Sequence, residues 1–205
     1  MILYLMRHGQ SRSNLDLDEY SRIPNPLIEI TEEGQKQARE AGNRIVGHMG
    51  SLAAMRHPIF VWSSPYARAA QSAIYVRDRF AHCNYREDVL LIEQNYGLAI
   101  GEPSTEAFCQ KCPQQTQLLF RAGKMYTTLP QGESKTDVAV RAELFLHKIM
   151  PYDFRHVVVS HQGFCHMLHS QITGEYPDVW DWANGEVRVY RTSLGGSFME
   201  YEGKL

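Results

Sequence analysis

No stretch of the chain approaches the roughly 20 consecutive apolar residues that a membrane-spanning helix needs. The opening run Met1–Met6 is too short for a secretory signal, follows no basic residue and meets Arg7-His8 at once. A soluble, unexported, cytoplasmic protein is the expectation, with no membrane partner. A basic excess is also missing. Twenty-one Lys and Arg against 23 Asp and Glu give a net charge of −2, which excludes a broadly basic nucleic-acid binder but not a local basic pocket. Cysteine is scarce, at positions 83, 109, 112 and 165. Cys109-Gln-Lys-Cys112 has metal-like spacing, and His82-Cys83 offers two further ligand types, but no second cysteine pair completes a zinc site. Reduced thiols are the simpler reading. Internal repeats, low-complexity tracts and charge blocks are absent.

What is present is an ordinary globular chain of 205 residues, 43% apolar and 21% charged. That length favours one domain spanning 1–205, able to bury its own core without a staple. Ile2–Met6, Ile59–Trp62 and Val157–Val159 are short apolar runs typical of buried strands. Thr31 followed by Glu32 and Glu33 starts a helix with Ala38, Ala41, Ile45 and Met49 on one face. A second helix follows Pro65, with Ala69, Ala73, Val76 and Phe80 inward, and a third spans Phe164 to Ile172. Glu186–Arg191 alternates like a strand with one wet face. The segment 101–135, from Gly101-Glu102-Pro103 to Pro130-Gln-Gly132, is aperiodic and reads as a lid-like insertion with one short helix near Gln114–Phe120. Alternating strands and helices imply a three-layer α/β/α fold with a mainly parallel central sheet, whose ligands gather at the strands' carboxyl ends.

Those ends carry chemistry. Arg7-His8-Gly9-Gln10-Ser11-Arg12-Ser13-Asn14 follows the first strand, Ser63-Ser64-Pro65-Tyr66-Ala67-Arg68 the second, and Ser160-His161-Gln162-Gly163 the third. Two arginines suit a phosphoryl dianion, since each planar guanidinium binds two oxygens. A neutral imidazole is a competent nucleophile toward phosphorus.

Arg7-His8-Gly9 with Asn14 behind it resembles the signature of the histidine phosphatase superfamily (phosphoglycerate mutase-like, branch 1). Further matches follow in the family's order: Ile30–Ala38, Ser63–Ala73, Glu93-Gln-Asn-Tyr96-Gly97, Gly132-Glu133-Ser134 with Arg141, Val157–His161 and Asn184-Gly185-Glu186-Val187. The resemblance implies a metal-independent phosphatase that forms a phosphohistidine on His8. Arg7 and Arg68 would clamp the phosphoryl oxygens, His161 would donate a hydrogen bond to one of them, and Asn14 would add a contact; Gln162, directly after His161, is a further phosphate-contact candidate. Glu93 would protonate the leaving oxygen and then activate water. The implied partner is a small phosphorylated substrate, with no metal or organic cofactor.

The pattern departs from the family at Gln162, where glycine is common, and at Ser72, where threonine is common. Glu102 competes with Glu93 for the acid's role. A phosphoglycerate mutase is the alternative activity, and a non-catalytic phospho-ligand binder a remoter one. Glu93 is followed by Gln94 rather than the mutases' arginine, and 98–130 holds only Arg121 as arginine, which favours hydrolysis. Glu87 and Asp88 read as surface charges, and His166 and His169 as one polar helix edge. Trp180 and Trp182 read as packing for the last strand. Arg12, Tyr20 and Arg22 are candidate substrate contacts. Substrate identity and oligomeric state are not legible.

Overall fold

The computed structural model describes residues 1–50, 58–102, 107, 110–128, 130–176, 181–192 and 199–205. Strands β1 (Ile2–Arg7), β2 (Ile59–Ser63), β3 (Asn84–Glu87), β4 (Arg155–Ser160), β5 (Val187–Thr192) and β6 (Met199–Lys204) form one sheet in the order β3–β2–β4–β1–β5–β6. The pairings β1–β4, β2–β4 and β2–β3 are parallel, while β5 runs antiparallel to β1 and to β6. The sheet is therefore mainly parallel. Its inner strands are apolar on both faces because helices cover both.

The helices are α1 (Arg12–Leu15), α2 (Glu19–Arg22), α3 (Glu32–Met49), α4 (Ala67–Arg77), α5 (Pro113–Tyr126), α6 (Lys135–Ile149) and α7 (Gln162–Thr173). Strand alternation assigns each side chain to a layer. Leu3, Leu5, Trp62, Val158 and Tyr190 pack with Val138, Phe145, Phe164 and Leu168 of α6 and α7. Tyr4, Met6, Val61, Val157, Val159 and Val189 pack with Ala38, Ala41, Ile45, Ala69, Ala73 and Val76 of α3 and α4. Three layers result. Among the described residues, no helix is long and apolar enough to cross a membrane.

Local chemistry sets the helix starts. The Thr31 hydroxyl accepts from the Gly34 amide at 3.1 Å, with Glu32 and Glu33 in the first turn. Ser134 and Asp137 form a reciprocal capping box at α6. Helix α4 begins two residues beyond Pro65, and α5 outruns the expected Gln114–Phe120, with a break at Gly123 (φ 76°). Cys109, Pro103 and Trp180 lie outside the described residues.

Several polar readings are corrected. β5 has no wet face at its start: Val187 to Tyr190 are all buried, Arg188 included. Asp88 is buried, caps the turn at Val89–Leu91 and pairs with Lys148 at 2.6 Å. His166 and His169 are also buried, packed edge-on against Trp182 rather than forming a polar edge.

The turn after β1 lies directly on the start of α3. A Cβ on Gly9 would strike the Gly34 carbonyl, and one on Gly34 would strike the Gln10 carbonyl. Neither backbone can yield without moving the other. Gly34→Ala is expected to cost about 1–3 kcal/mol of stability, the usual range for overpacking a tight contact. Urea unfolding would read it; an unchanged midpoint would refute the contact.

Candidate active site

The β1–β4 ladder pairs Arg7 with Ser160 and continues one step further, where the His8 amide donates to the Ser160 carbonyl at 2.8 Å. His8 and His161 thereby leave adjacent strands side by side, with ring centroids 5.1 Å apart at 65°. His8 is 4% exposed and His161 0%. His8 Nδ1 lies 2.7 Å from the Gly9 carbonyl. A carbonyl only accepts, so Nδ1 carries the proton and Nε2 presents its lone pair. Burial pushes both imidazoles well below the ordinary histidine range, and the Arg68 and Arg7 charges push the same way. His8 is held neutral.

Arg7 ends β1. Its Nη1 donates to the Trp182 carbonyl at 2.6 Å, while its buried Nε makes no hydrogen bond. Arg68, in the first turn of α4, is 2% exposed and donates from Nη1 to the Asn25 carbonyl at 2.8 Å. Each guanidinium is thus anchored at one nitrogen by a backbone oxygen, a neutral hydrogen-bond partner that adds no negative charge. Ser72 ties α4 to the turn: its hydroxyl donates to the Arg68 carbonyl at 2.7 Å and accepts from the Gly9 amide at 3.0 Å. Serine thus supplies the hydroxyl where the family commonly has threonine.

His161 Nε2 lies 2.8 Å from Ser64 Oγ, while its Nδ1 is buried without a hydrogen-bond partner. The Tyr66 ring lies edge-on to His161 and beneath the Arg68 guanidinium. Glu93 completes the cluster. Its carboxylate accepts from the Gln94 amide at 2.8 Å and the Gly163 amide at 3.2 Å, in the first turn of α7. Arg141 fixes this segment by donating to the Leu90 and Ile92 carbonyls at 2.6 and 3.1 Å and to Glu133 at 2.8 Å. The Glu93 charge acts on both Arg7 and Arg68. Glu102 instead pairs with Lys111.

The structure therefore brings Arg7, His8, Arg68, Glu93 and His161 together. Gln162 opens α7 directly behind His161. Asn14 is exposed, and its Oδ1 accepts from the Ser11 amide at 2.9 Å and from Asn184 at 3.2 Å. Asn184 also donates to the His8 carbonyl at 3.1 Å. Asn14 thus organises the turn beneath the nucleophile candidate. Tyr20 and Tyr96 lie within the field of both arginines, whereas Arg22 is taken up by Asp16 and Glu19, and Arg12 is exposed at the start of α1. Sequence reasoning missed Ser64 as the His161 partner and Asn25 and Trp182 as arginine anchors. The last two act through backbone carbonyls, which residue type does not reveal. Among the described residues, no group of three or more metal-ligating side chains converges.

This pairing of histidines at the ends of β1 and β4 is that of the histidine phosphatase superfamily. The chain belongs to its branch 1, whose family model matches residues 3–200. It is 27% identical over 219 residues to phosphoglycerate mutase-like protein AT74H of Arabidopsis thaliana, an alignment covering 96% of this chain and 75% of that protein. In fold it is similar to the alpha-ribazole phosphatase of Shigella flexneri, with a TM-score of 0.74, 18% identity, and coverage of 99% of this chain and 95% of that one. It is also similar to a mycobacterial glucosyl-3-phosphoglycerate phosphatase in complex with VO3, with a TM-score of 0.70, 20% identity, and coverage of 98% and 96%.

The buried histidines make stability depend on pH. His8, His156, His161, His166 and His169 all have lowered proton affinity in the fold, His156 and His166 to about 4. Burial is the main cause in each. Below the ordinary histidine value the unfolded chain takes up protons that the folded one refuses, so stability falls as pH falls. For His156, a drop from 6.5 to about 4 corresponds to about 2 kcal/mol at pH 5. Urea midpoints should therefore fall from pH 7 to pH 5, and His156→Gln should flatten the slope. A pH-independent midpoint would contradict neutral burial.

Proposed function

We propose that the protein is a phosphatase that hydrolyses a small phosphomonoester in the cytoplasm through a phosphohistidine on His8, without metal or organic cofactor. The observation that carries this is the neutral His8 imidazole, its proton turned to Gly9, within the field of two guanidiniums that have no acidic hydrogen-bond partner among the described residues. Membership of the superfamily supports phosphoryl transfer as the reaction class. Two of the fold relatives are phosphatases by name, one of them in complex with a vanadate oxyanion.

In this reading Arg7 and Arg68 hold the phosphoryl oxygens, and the unpartnered His161 Nδ1 donates to one of them. Such fixed donors stabilise the charge of the transferring group. His8 Nε2 attacks phosphorus as the ester P–O bond breaks. The leaving oxygen takes a proton from Glu93, because an unprotonated alkoxide leaves poorly. Water then attacks the phosphohistidine and gives its proton to Glu93. The P–N bond breaks, inorganic phosphate departs, and neutral His8 is restored. Glu93 suits the acid's role better than Glu102, which Lys111 engages. Segment 101–135 would form a partial lid on the single domain, its C-terminal part joined to the Glu93 segment by hydrogen bonds from Leu98 to Pro130 and from Glu133 to Asn95.

The mutase reading needs a cation to grip a substrate carboxylate beside the acid. Gln94 stands there, buried, with its amide donating to the Glu133 carbonyl at 3.0 Å. That favours hydrolysis.

Turnover of p-nitrophenyl phosphate, measured with and without EDTA, tests the proposal. EDTA-resistant activity in the wild type that vanishes in His8→Ala is expected. EDTA-sensitive activity, or activity that survives the mutation, would overturn it. Glu93→Gln should slow hydrolysis of an alkyl phosphate by about 10²–10⁴-fold, and of the nitrophenyl ester by less, since that leaving group needs less protonation. A larger loss in Glu102→Gln would move the acid to Glu102.

A further inference from the structure

Arg7 can hold a phosphoryl group only if its guanidinium is aimed, and what aims it is the Trp182 carbonyl, 2.6 Å from Nη1. That carbonyl is itself held. The Trp182 indole is buried, and its Nε1 donates to the Glu186 carbonyl at 3.2 Å. The same carbonyl accepts the Arg7 amide. The edges of His166 and His169 close one side of the ring. The other feature is a cation: the Arg188 guanidinium stands 3.9 Å from the ring centroid. Arg188 is 5% exposed on β5, with Nε on Glu186 at 2.8 Å and Nη2 on Asp181 at 3.0 Å. Its planar fork lets one residue bind two carboxylates while its face covers the indole, which an ammonium group cannot do. Lys204 approaches the same two carboxylates.

We infer that Arg188 is a positioning residue for the phosphoryl pocket, acting on Arg7 through the Trp182 indole and carbonyl. Among the described residues its hydrogen bonds go to Glu186 and Asp181 and none goes to a pocket side chain, so its effect on the pocket runs through Arg7. A buried, doubly paired cation at this place is more than packing requires, since an apolar side chain would fill the space without the cost of desolvating a charge. The inference rests on the phosphatase reading, in which Arg7 grips the phosphoryl oxygens.

The test is a double-mutant cycle on orthovanadate binding, followed by calorimetry, with folding checked by thermal melts. Arg7→Met should weaken vanadate binding by about 10–100-fold, the value of losing a charge-assisted contact. Arg188→Met should weaken it by about 10-fold through misalignment, and Arg188→Lys should recover only part of that loss. In the Arg7→Met background, Arg188→Met should cost nothing further. Trp182→Phe, which keeps a ring but loses the Nε1 bond, serves where Arg188→Met does not fold; it too should lose its effect without Arg7. Independent, multiplying losses would overturn the brace while leaving the phosphatase reading intact. A wild type that binds no vanadate would overturn that reading and the brace with it.

Discussion

The hydrogen bond from the His8 amide to the Ser160 carbonyl carries the parallel β1–β4 ladder one step beyond its last residue pair. Everything in the pocket depends on that step. It sets two histidines on neighbouring strands at the same height, so their rings meet edge to face. It also brings the turns after both strands to one rim, where α4 and the Glu93 segment can reach them. A slip of one residue in this register would turn one ring away from the other.

Electrostatics then follow from position. Arg68 is buried and Arg7 half-buried beside the two imidazoles, and their anchors are neutral carbonyls rather than carboxylates. Both cations lose part of their hydration in the fold. Burial keeps the histidines from protonating, and the charges that would attract a phosphoryl dianion push the same way. Attraction for an anion and neutrality of the imidazoles are thus compatible in one arrangement.

Much of this was legible in the sequence because buried parallel strands are apolar runs, and the residues after them fall at the strand ends by necessity. The placing of Arg7, His8, Arg68 and His161 at one rim was legible that way, and Thr31 declared the start of α3. The edge strands β3 and β6 were not found, because Asn-Tyr-Arg-Glu carries one ring and the alternation of Met199 and Tyr201 with Glu200 and Glu202 is too short to stand out. Arg188 and Asp88 were misread for a shared reason: a charged residue in a pattern reads as wet, yet either charge can be buried where a partner of opposite sign meets it. His166 and His169 were misread because helical spacing gives a face but not what covers it. The anchoring carbonyls of Asn25 and Trp182 left no mark in residue type at all.

The pinch at Gly97 and Gly132 has a consequence for how such a protein can change. Leu98 bonds to Pro130 and Glu133 to Asn95, with each glycine lying directly on the other strand of backbone. Arg141 locks the Glu93 side of the same junction. The chain therefore leaves at Gly97–Leu98 and returns at Pro130–Gly132 through a fixed doorway. Doubling the length of such an excursion adds only about 0.6 kcal/mol of closure entropy. The segment can be lengthened, shortened or exchanged with little strain on the Glu93 junction.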